Sequence, residues 1–435
     1  MKQSLTLVVA LAMVAMAGAL LSNRAGILSF SQPAHGNTAA KNPSVSAPSA
    51  SVDSPYRRLP RRTVRIAILN GVDTATVRTD GPFRLTDSVT GELKLNGLKL
   101  SEATVRPYGN SGLTVGAFKY DGCAEIDLVS VMKKDIVVSG NPCGDSIRII
   151  RDGDALIVLA LMDIEDYLAG VVAGEMPVSS WPMEALKAQA VASRTFVAHR
   201  MISRNQARFD VTATTQDQVF NAKNSTHARA LEAVLRTRGE VLAERGELFC
   251  AYFHSACGGE TASASDVFDG DTPLALTGRT SDTCHSSPLY RWQRTLSLRE
   301  IEDALKGLTP VSGPPVEKVY DIFPVFKPGR SVPARAIAFD CVHRGGMSRF
   351  KANAFRLAVG GGPTQLPSVS IERWDVSDGV VKLSGRGFGH GVGLCQHCAK
   401  AMADDGKTYR QILSWFYFRS QVLTIDEPTG ALILK

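Results

Sequence analysis

One carboxylate, Glu175, lies where the sequence could hold it for acid–base chemistry. It follows Gly174 and precedes Met176 and Pro177, and because proline ends regular structure, we expect a turn between two structured segments. An apolar setting of this kind raises the pKa of a carboxyl group, as a general acid requires. A solvated surface glutamate fits the same local sequence, so these residues alone leave both roles open.

A glycine-rich segment at residues 385–393 has glycine at every other position. An extended backbone without side chains at these positions can approach a ligand or another strand closely. The side chains between the glycines are those of Arg386, Phe388, His390 and Val392. The segment contains no G-x-G-x-x-G pattern, which argues against a dinucleotide site. A glycine-loosened strand or bulge with a structural histidine also fits the pattern.

Two pairs of residues have types and spacings that suit a metal ion. His254 and Cys257 are three positions apart, and Cys284 is followed by His285. Together they would form a Cys2His2 set for tetrahedral zinc, and four protein ligands would leave no open position, so the ion would be structural. A disulfide between Cys257 and Cys284 would use the same sulfur atoms in an oxidising compartment. The sequence leaves zinc and disulfide open.

Two further cysteine pairs have no unique interpretation. Cys395 and Cys398 form a C-x-x-C pair, which suits a second metal pair, a local redox couple or two packed thiols. Cys123 and Cys143 flank strand-like segments and could form a disulfide within one β-domain.

Hydrophobic patterns indicate the elements that position these residues. Short β-like runs punctuated by Asn-Gly, Asp-Gly and Thr-Gly pairs fill residues 63–160, which predicts antiparallel strands. Apolar periodicity predicts a helix at about residues 182–204, a second at about 225–237, and two short helices beyond residue 395. The sequence therefore predicts an α+β fold with a mainly antiparallel sheet and packed helices.

The longest predicted helix carries two cationic side chains near the glutamate in sequence. Lys187 and Arg194 are seven residues apart and share one helical face. They either support Glu175 and its substrate or face solvent, and we take Arg194 as a candidate substrate contact. The acidic residues that precede the glutamate, including Glu165 and Asp166, are interpreted as solvated charges.

The N-terminal residues indicate export. An uncharged, largely apolar run at residues 5–21 predicts that residues 1–24 are a signal peptide or a membrane anchor. Residues 25–62 are rich in Ser, Ala and Pro and lack periodicity, which predicts a disordered linker. Either form of leader predicts an exported protein of the cell envelope, anchored or secreted, and argues against a nucleic-acid partner.

The composition fits a folded protein that carries excess positive charge. The chain has 435 residues with 44% hydrophobic content, which suffices for a packed core. A formal net charge of +7, from 49 basic and 42 acidic residues, could give unspecific attraction to anionic wall polymers or lipid headgroups. Part of the excess lies in the cluster Arg57, Arg58, Arg61 and Arg62, which we interpret as a solvated end of the linker.

The chain resembles the stage II sporulation protein D family, which includes the amidase enhancer LytB. The resemblance is carried by three separated segments, which have the family's motifs in the family's order: residues 166–195, 252–261 and 385–399. The resemblance covers roughly residues 63–425. It implies a β-rich region at 63–160 followed by a catalytic core at 161–425.

The resemblance also implies roles for individual residues. Glu175 falls on the family's catalytic glutamate, while His390 and Gln396 would offer hydrogen bonds to sugar hydroxyl or acetamido groups. Some members are similar in carrying a metal near the motif that contains His254. The chain departs from the family pattern at Cys395, where the usual residue is serine.

Active members of this family are lytic transglycosylases that cleave the MurNAc–GlcNAc bond of peptidoglycan glycan strands. Cleavage without water needs one group that protonates the glycosidic oxygen and later deprotonates the muramyl C6 hydroxyl. One carboxylic acid can do both, whereas hydrolysis generally uses two.

The resemblance leaves an alternative from another functional class. The chain could be a noncatalytic peptidoglycan-binding module that activates a cell-wall amidase. The absence of H-E-x-x-H and G-x-S-x-G motifs argues against a zinc peptidase and a serine hydrolase.

Overall fold

A computed structural model of the chain describes residues 59–434, apart from residues 134, 221, 223, 224, 271, 282, 330–333 and 427–429. The predicted leader and nearly all of the predicted linker lie outside the described residues. Among the helices that are described, none combines the length and the apolar character needed to cross a membrane.

The chain forms two compact units. The described part of the larger unit lies within Ser54–His254, Asp271–Arg279 and Val392–Lys435. The described part of the smaller unit comprises Ser255–Gly270 and Thr280–Gly391. Each unit is therefore built from separated segments of the chain. The predicted division into consecutive regions, 63–160 and 161–425, does not correspond to these units.

The described residues contain seven α-helices, five of them in the larger unit. They are α1 (Ile164–Glu175), α2 (Met183–Ser203), α3 (Ala228–Arg236), α4 (Leu298–Leu305), α5 (Ala352–Ala358), α6 (Gln396–Asp404) and α7 (Tyr409–Phe416). Helices α4 and α5 belong to the smaller unit.

The strands are short and follow one another closely along the chain. Those preceding the smaller unit are β1 (Thr63–Val72), β2 (Ala75–Thr79), β3 (Phe83–Asp87), β4 (Leu93–Gly97), β5 (Leu100–Tyr108), β6 (Gly112–Val115), β7 (Phe118–Tyr120), β8 (Glu125–Ser130), β9 (Ile136–Val138), β10 (Asn141–Pro142), β11 (Ser146–Asp152), β12 (Ala155–Asp163), β13 (Val211–Thr212), β14 (Glu240–Glu244), β15 (Glu247–Leu248) and β16 (Phe253–His254). Those of the smaller unit are β17 (Gly259–Glu260), β18 (Thr280–Ser281), β19 (Arg291–Ser297), β20 (Val319–Val325), β21 (Ala334–Arg335), β22 (Ala338–His343), β23 (Gly346–Lys351), β24 (Ser370–Ser377) and β25 (Val380–Arg386). The last three are β26 (Leu394–Cys395), β27 (Gln421–Ile425) and β28 (Leu432–Leu434).

The larger unit contains two large sheets and two small ones. Their strand orders are β13-β1-β12-β11-β8-β3-β4, β10-β9-β2-β5-β6-β7, β15-β14-β27-β28 and β16-β26. Of the strand pairs in the described residues, only β1 with β13 and β16 with β26 run parallel. The longest antiparallel pairing joins β1 to β12 in a register that starts with Thr63 opposite Asp163. Helix α1 begins immediately after β12, so this pairing fixes where α1 starts.

The smaller unit has three sheets of its own. Their strand orders are β19-β25-β24-β21, β20-β22-β23 and β17-β18. Its core is formed by apolar side chains from strands and from helices α4 and α5, among them Ile301, Phe339 and Phe355, each at most 1% exposed.

One core joins the sheets and helices of the larger unit. Residues of β1 to β12, such as Ile66 and Val158, belong to the same apolar cluster as Leu168 of α1 and Leu186 of α2. The α+β prediction is confirmed. The boundary predicted near residue 160 does not separate two cores. The strands before it and the helices after it pack their apolar side chains into one common core.

Candidate functional site

Helix α1 carries Glu175 as its last residue. The side chain of Asp163 caps the helix by accepting a hydrogen bond from the Glu165 N–H at 2.9 Å. At the other end Met176 is extended, with φ −130° and ψ 149°, the conformation that the following Pro177 imposes. The predicted turn follows directly and separates α1 from α2, while Glu175 itself ends a helix of twelve residues.

Gly174 allows the backbone at Val219 to approach this helix end. A Cβ atom on Gly174 would lie 2.8 Å from the Val219 carbonyl oxygen, a distance that a real side chain does not tolerate. The close approach brings the Val219 N–H to Glu175, where it donates to Oε1 at 2.8 Å. The glycine thus permits a main-chain donor to fix the carboxyl group.

Gln396 contacts the other carboxyl oxygen of Glu175. It is the first residue of α6 and only 5% exposed. Its Nε2 lies 3.4 Å from Glu175 Oε2 and 3.4 Å from Oε1 of Gln189, a fully buried residue of α2. The structure therefore brings together two residues that the sequence predicted for one site, Glu175 and Gln396.

Burial and hydrogen bonding act on the Glu175 carboxyl group in opposite directions. Burial raises its pKa from 4.5 to about 7, although the hydrogen bonds from Val219 and Gln396 favour the ionised form and lower the pKa. The negative end of the helix macrodipole at the C-terminus of α1 also disfavours a carboxylate. The side chain has intermediate exposure. At neutral pH the group can therefore both give and accept a proton.

The loop that contributes Val219 is held by the residue before it. Gln218 is fully buried, accepts a hydrogen bond from the Tyr167 hydroxyl at 3.0 Å and donates to the Ser193 carbonyl at 3.3 Å. The hydroxyl of Ser193 in turn accepts from Gln189 Nε2 at 3.0 Å. Helices α1 and α2 thus fix the loop through paired polar groups.

A second set of contacts fixes the same loop through Asp217. Its Oδ2 accepts from the Thr212 N–H at 2.9 Å and from Arg204 at 3.1 Å, and its Oδ1 lies 3.4 Å from Arg200. The Asp217 side chain is 3% exposed. These contacts and those of Gln218 anchor the two residues that directly precede Val219.

The structure corrects the prediction that Arg194 contacts substrate. Arg194 is fully buried, and its guanidinium makes a bidentate ion pair with Glu165 at 3.0 and 2.7 Å. It also donates to the carbonyl oxygens of Glu240 and Val234. Because these donors are directed into the interior, Arg194 joins α1 and α2 to the elements around α3 and does not face a groove. Glu165, interpreted as solvated, is 7% exposed.

His390 lies in the smaller unit, where the glycine-rich segment is not an extended strand. Strand β25 ends at Arg386, and Gly387, Gly389 and Gly391 all have positive φ, between 79° and 105°. The His390 ring packs edge-on against Phe268 with centroids 5.3 Å apart. A sugar contact for His390 stays a prediction, as it does for Gln396.

The smaller unit contains a buried thiol pair, Cys257 and Cys284. Their sulfur atoms are 3.6 Å apart, and both residues are at most 1% exposed. Two thiolates on a tetrahedral zinc ion with Zn–S bonds of about 2.3 Å would be about 3.8 Å apart, so the pair fits zinc, whereas a disulfide would need about 2.05 Å. His285 is exposed and packs on Tyr290 at 4.5 Å. Among the described residues it is not part of the cysteine cluster that could hold a metal ion, and its role as a ligand stays a prediction.

Cys395, Cys398 and the predicted ligand His254 belong to the larger unit. The imidazole Nδ1 of His254 lies 3.1 Å from the Val392 carbonyl oxygen. Cys395 caps α6 by accepting at its sulfur from the Cys398 N–H at 3.4 Å, and both cysteines are fully buried. A cysteine sulfur at a helix N-terminus is suited to the thiolate form that metals bind.

The predicted disulfide between Cys123 and Cys143 is not formed. Both residues are free thiols, and their sulfur atoms donate to different carbonyl oxygens, those of Glu125 and Asn141. Burial raises the pKa of Cys123 to about 11 and that of Cys143 to about 12, which keeps both groups protonated and unreactive at neutral pH.

Sequence reasoning missed Val219 and Gln189 as parts of the site. Val219 acts through its backbone, which no residue type reveals. Gln189 lies on the predicted helix. Its polar side chain on the apolar face of α2 could have indicated that it hydrogen-bonds to another buried polar group.

Two family models match the chain. The model described as stage II sporulation protein matches residues 152–243, and a domain of unknown function matches residues 274–393. The first match includes α1, α2 and the loop that holds Val219.

Three relatives illustrate the similarity. The chain is 33% identical over 302 residues to an uncharacterized protein of Brachyspira hyodysenteriae, covering 67% of this chain and 77% of the relative. It is 30% identical over 269 residues to stage II sporulation protein D of Bacillus amyloliquefaciens, covering 58% and 72%. It is 28% identical over 376 residues to the amidase enhancer of Bacillus subtilis, covering 77% and 50%. The chain therefore belongs to the stage II sporulation protein D family.

Proposed function

We propose that the chain is a lytic transglycosylase that cleaves MurNAc–GlcNAc bonds of peptidoglycan with Glu175 as its single acid and base. Membership of the family supports a peptidoglycan-related role. The observation that carries the enzymatic proposal is the Glu175 carboxyl group, whose pKa burial raises to about 7. A general acid and base is most effective when its pKa is close to the working pH.

The setting of Glu175 also supports one carboxylate rather than two. Burial and the hydrogen bonds from Val219 and Gln396 shift its pKa, and within the part of the chain that the structure describes no other carboxylate contributes to the shift. In a retaining glycosidase the second carboxyl group lies about 5–5.5 Å away and would raise the pKa further by charge repulsion.

The proposed reaction uses Glu175 in both steps. The protonated carboxyl group donates to the glycosidic oxygen, and the bond from that oxygen to C1 of the muramyl residue breaks. The carboxylate then takes the proton of the muramyl C6 hydroxyl as its oxygen attacks C1, which gives a 1,6-anhydro product and restores the acid. The fixed donors at Val219 and Gln396 stabilise the carboxylate between these steps.

The alternative is a noncatalytic activator of a cell-wall amidase, which the similarity to a protein named amidase enhancer favours. In that case the site around Glu175 would bind glycan without cleaving it. Under either function we propose that the protein works in the cell envelope and is exported through the predicted leader. A structural zinc ion is a separate proposal.

Product analysis separates the two functions. Purified glycan strands are incubated with the protein alone, with an amidase alone and with both, and the products are identified by mass spectrometry. We expect 1,6-anhydromuramyl ends with the protein alone. New reducing ends would indicate hydrolysis. Peptide release that is greater with both proteins than with the amidase alone, without anhydro ends, would favour the activator.

A further inference from the structure

Two exposed aromatic rings of the larger unit share one arginine. Trp415, in α7, and Phe418, just after it, are 43% and 44% exposed. The guanidinium of Arg279 lies over both rings, 5.5 Å from the Trp415 centroid and 4.2 Å from the Phe418 centroid. The guanidinium of Arg419 lies 5.4 Å from the Phe418 centroid. We call Arg279, Trp415, Phe418 and Arg419 the aromatic patch.

The backbone presents the aromatic patch in a fixed turn. The Ser420 N–H donates to the Tyr417 carbonyl at 3.1 Å, and Tyr417 is fully buried with its hydroxyl donating to the Tyr252 carbonyl at 2.7 Å. Arg419 adopts the left-handed conformation, with φ 63°, which is strained for a residue with a side chain and persists where the surroundings impose it. The turn holds Phe418 and Arg419 outward.

The exposed rings and the neighbouring arginines together suit a partner that has a flat apolar face and carries negative charge. An aromatic ring offers a flat apolar surface, and the stacked guanidinium adds positive charge beside it. Arginine binds carboxylates with its planar fork. A neighbouring pair of exposed rings is unlike the isolated exposed apolar side chains that need no explanation.

We propose that the aromatic patch binds peptidoglycan glycan strands, with the rings stacked on the apolar faces of N-acetylated sugars and the arginines paired with stem-peptide carboxylates. This deepens the proposed function and rests on it for the choice of substrate. Both rings are less than half exposed and are held in place by stacked guanidinium groups. They therefore present a flat, fixed surface, which suits a rigid sugar chain better than insertion into lipid.

Binding to intact sacculi tests the proposal. The parent is the full chain with Glu175→Gln, so that binding is measured without cleavage, and affinity is obtained by co-sedimentation with purified sacculi. The double variant Trp415→Ala, Phe418→Ala should bind at least tenfold more weakly, equivalent to about 1.4 kcal/mol. The control is Phe118→Ala, an exposed phenylalanine of β7 in the same unit, which should bind as the parent does.

Two further arms identify the ligand chemistry. Arg419→Gln, at an exposed position, should weaken binding to intact sacculi and leave binding to strands stripped of stem peptides unchanged. Vesicles containing anionic phospholipid provide the competing surface. Loss of vesicle binding with retained sacculus binding in the double variant would overturn the proposal in favour of a membrane surface.

Two controls distinguish a loss of binding from a loss of folding and from a failure of the enzymatic proposal. Melting curves must match those of the parent, and if the double variant is unstable, Arg419→Gln carries the test. A parent that does not bind sacculi, or variants that bind equally well, would also overturn the proposal. Absence of anhydro products from the wild-type chain, alongside patch-dependent binding of the parent, would instead contradict the proposed enzymatic function and leave the patch intact.

Discussion

At the scale of single residues, the behaviour of Glu175 follows from a balance between burial and donated hydrogen bonds. Burial alone favours the neutral acid, while the donors at Val219 and Gln396 favour the carboxylate. Because the result is a pKa of about 7, neither form is strongly disfavoured at neutral pH. Changing one donor should therefore move the pKa in a direction that the structure specifies.

The first prediction concerns the pH dependence of cleavage. Since the first step needs protonated Glu175, kcat/KM should fall above about pH 7, by tenfold per pH unit at the limit. Replacing Gln396 by Met removes a donor that lowers the pKa, so the alkaline limb should move to higher pH. Rates on purified glycan strands across pH 5 to about 9 check this. A limb that moves to lower pH in Gln396→Met would contradict the assignment of the titrating group.

The second prediction concerns stability and pH. The pKa of Glu175 is raised in the folded state from 4.5 to about 7, so the folded protein binds the proton more tightly than the unfolded chain. This stabilisation is present below about pH 4.5 and is lost as pH rises through 7, at most about 3 kcal/mol. Glu175→Gln cannot ionise, so its free energy of unfolding should increase relative to the wild type between pH 4.5 and 8.

Denaturant unfolding of both proteins at several pH values measures this difference. The control is Glu232→Gln, since Glu232 is a glutamate of α3 with a 41% exposed side chain. A wild type and Glu175→Gln that respond identically to pH would mean that the carboxyl group is not held in its neutral form.

Residue types predicted part of this site. The flanking glycine and proline marked Glu175, and the resemblance marked Gln396, and the structure brings the two together. Arg194 was misassigned because an arginine on a helix face can point to solvent or into the core, and its buried partner Glu165 is 29 residues away in sequence. The pairing of distant charges is decided by the tertiary fold.

At the scale of elements, α1 is the part of the site that sequence patterns hid. It contains Gly170 and Gly174 and an apolar run that also suits a strand. Tyr167, Leu168, Val171 and Val172 are all fully buried, so packing stabilises the helix despite its poor intrinsic propensity. The longer helix α2, predicted at 182–204, is found at Met183–Ser203 because its periodicity extends over many turns.

The third prediction tests how α1 meets the loop at Val219. Gly174→Ala places a Cβ atom 2.8 Å from the Val219 carbonyl oxygen, so the loop must move and its N–H must leave Glu175. We expect kcat to fall by about 10-fold to 100-fold, since loss of preorganised geometry has effects of this size. Gly307→Ala, where an added Cβ atom would meet nothing within 4 Å, is the comparison.

The matching measurement is glycan cleavage together with the pH profile. Loss of the Val219 donor should also raise the pKa of Glu175, because that hydrogen bond lowers it. Full activity with an unchanged profile in Gly174→Ala would show that the close approach has no role in the site.

At the scale of the whole molecule, each unit contains a buried cysteine pair. Cys257 and Cys284 lie in the smaller unit, and Cys395 and Cys398 lie in the larger unit. The sequence marked both pairs as possible metal ligands, Cys395 and Cys398 through their C-x-x-C spacing and Cys257 and Cys284 through their neighbouring histidines. Folding, not sequence distance, brought those two sulfur atoms to 3.6 Å.

The fourth prediction concerns a structural metal. If zinc is bound, protein purified without added zinc should contain it in near-stoichiometric amount, and chelation should lower the melting temperature. Metal analysis of Cys257→Ser and Cys395→Ser indicates which pair provides ligands, with Cys341→Ser as the buried-cysteine control. A metal-free protein whose peptide map shows a Cys257–Cys284 disulfide would replace zinc by a covalent link.

The division of the chain was the feature least accessible from sequence. The strands at 63–160 and the helix at 182–204 were predicted, and both are present. That they share one core, and that residues 271–279 and 392–435 return to the same unit, depends on contacts between distant segments. Local periodicity contains no information about such returns.

The most direct test of the account compares Glu175→Gln with the wild type on purified glycan strands, with Glu232→Gln as the matched control. The amide can still accept the hydrogen bond from Val219 but cannot supply or take a proton. We predict that the wild type and the control both release 1,6-anhydromuramyl ends, while Glu175→Gln binds the strands and releases none. Anhydro ends formed by Glu175→Gln at the wild-type rate would contradict the central claim.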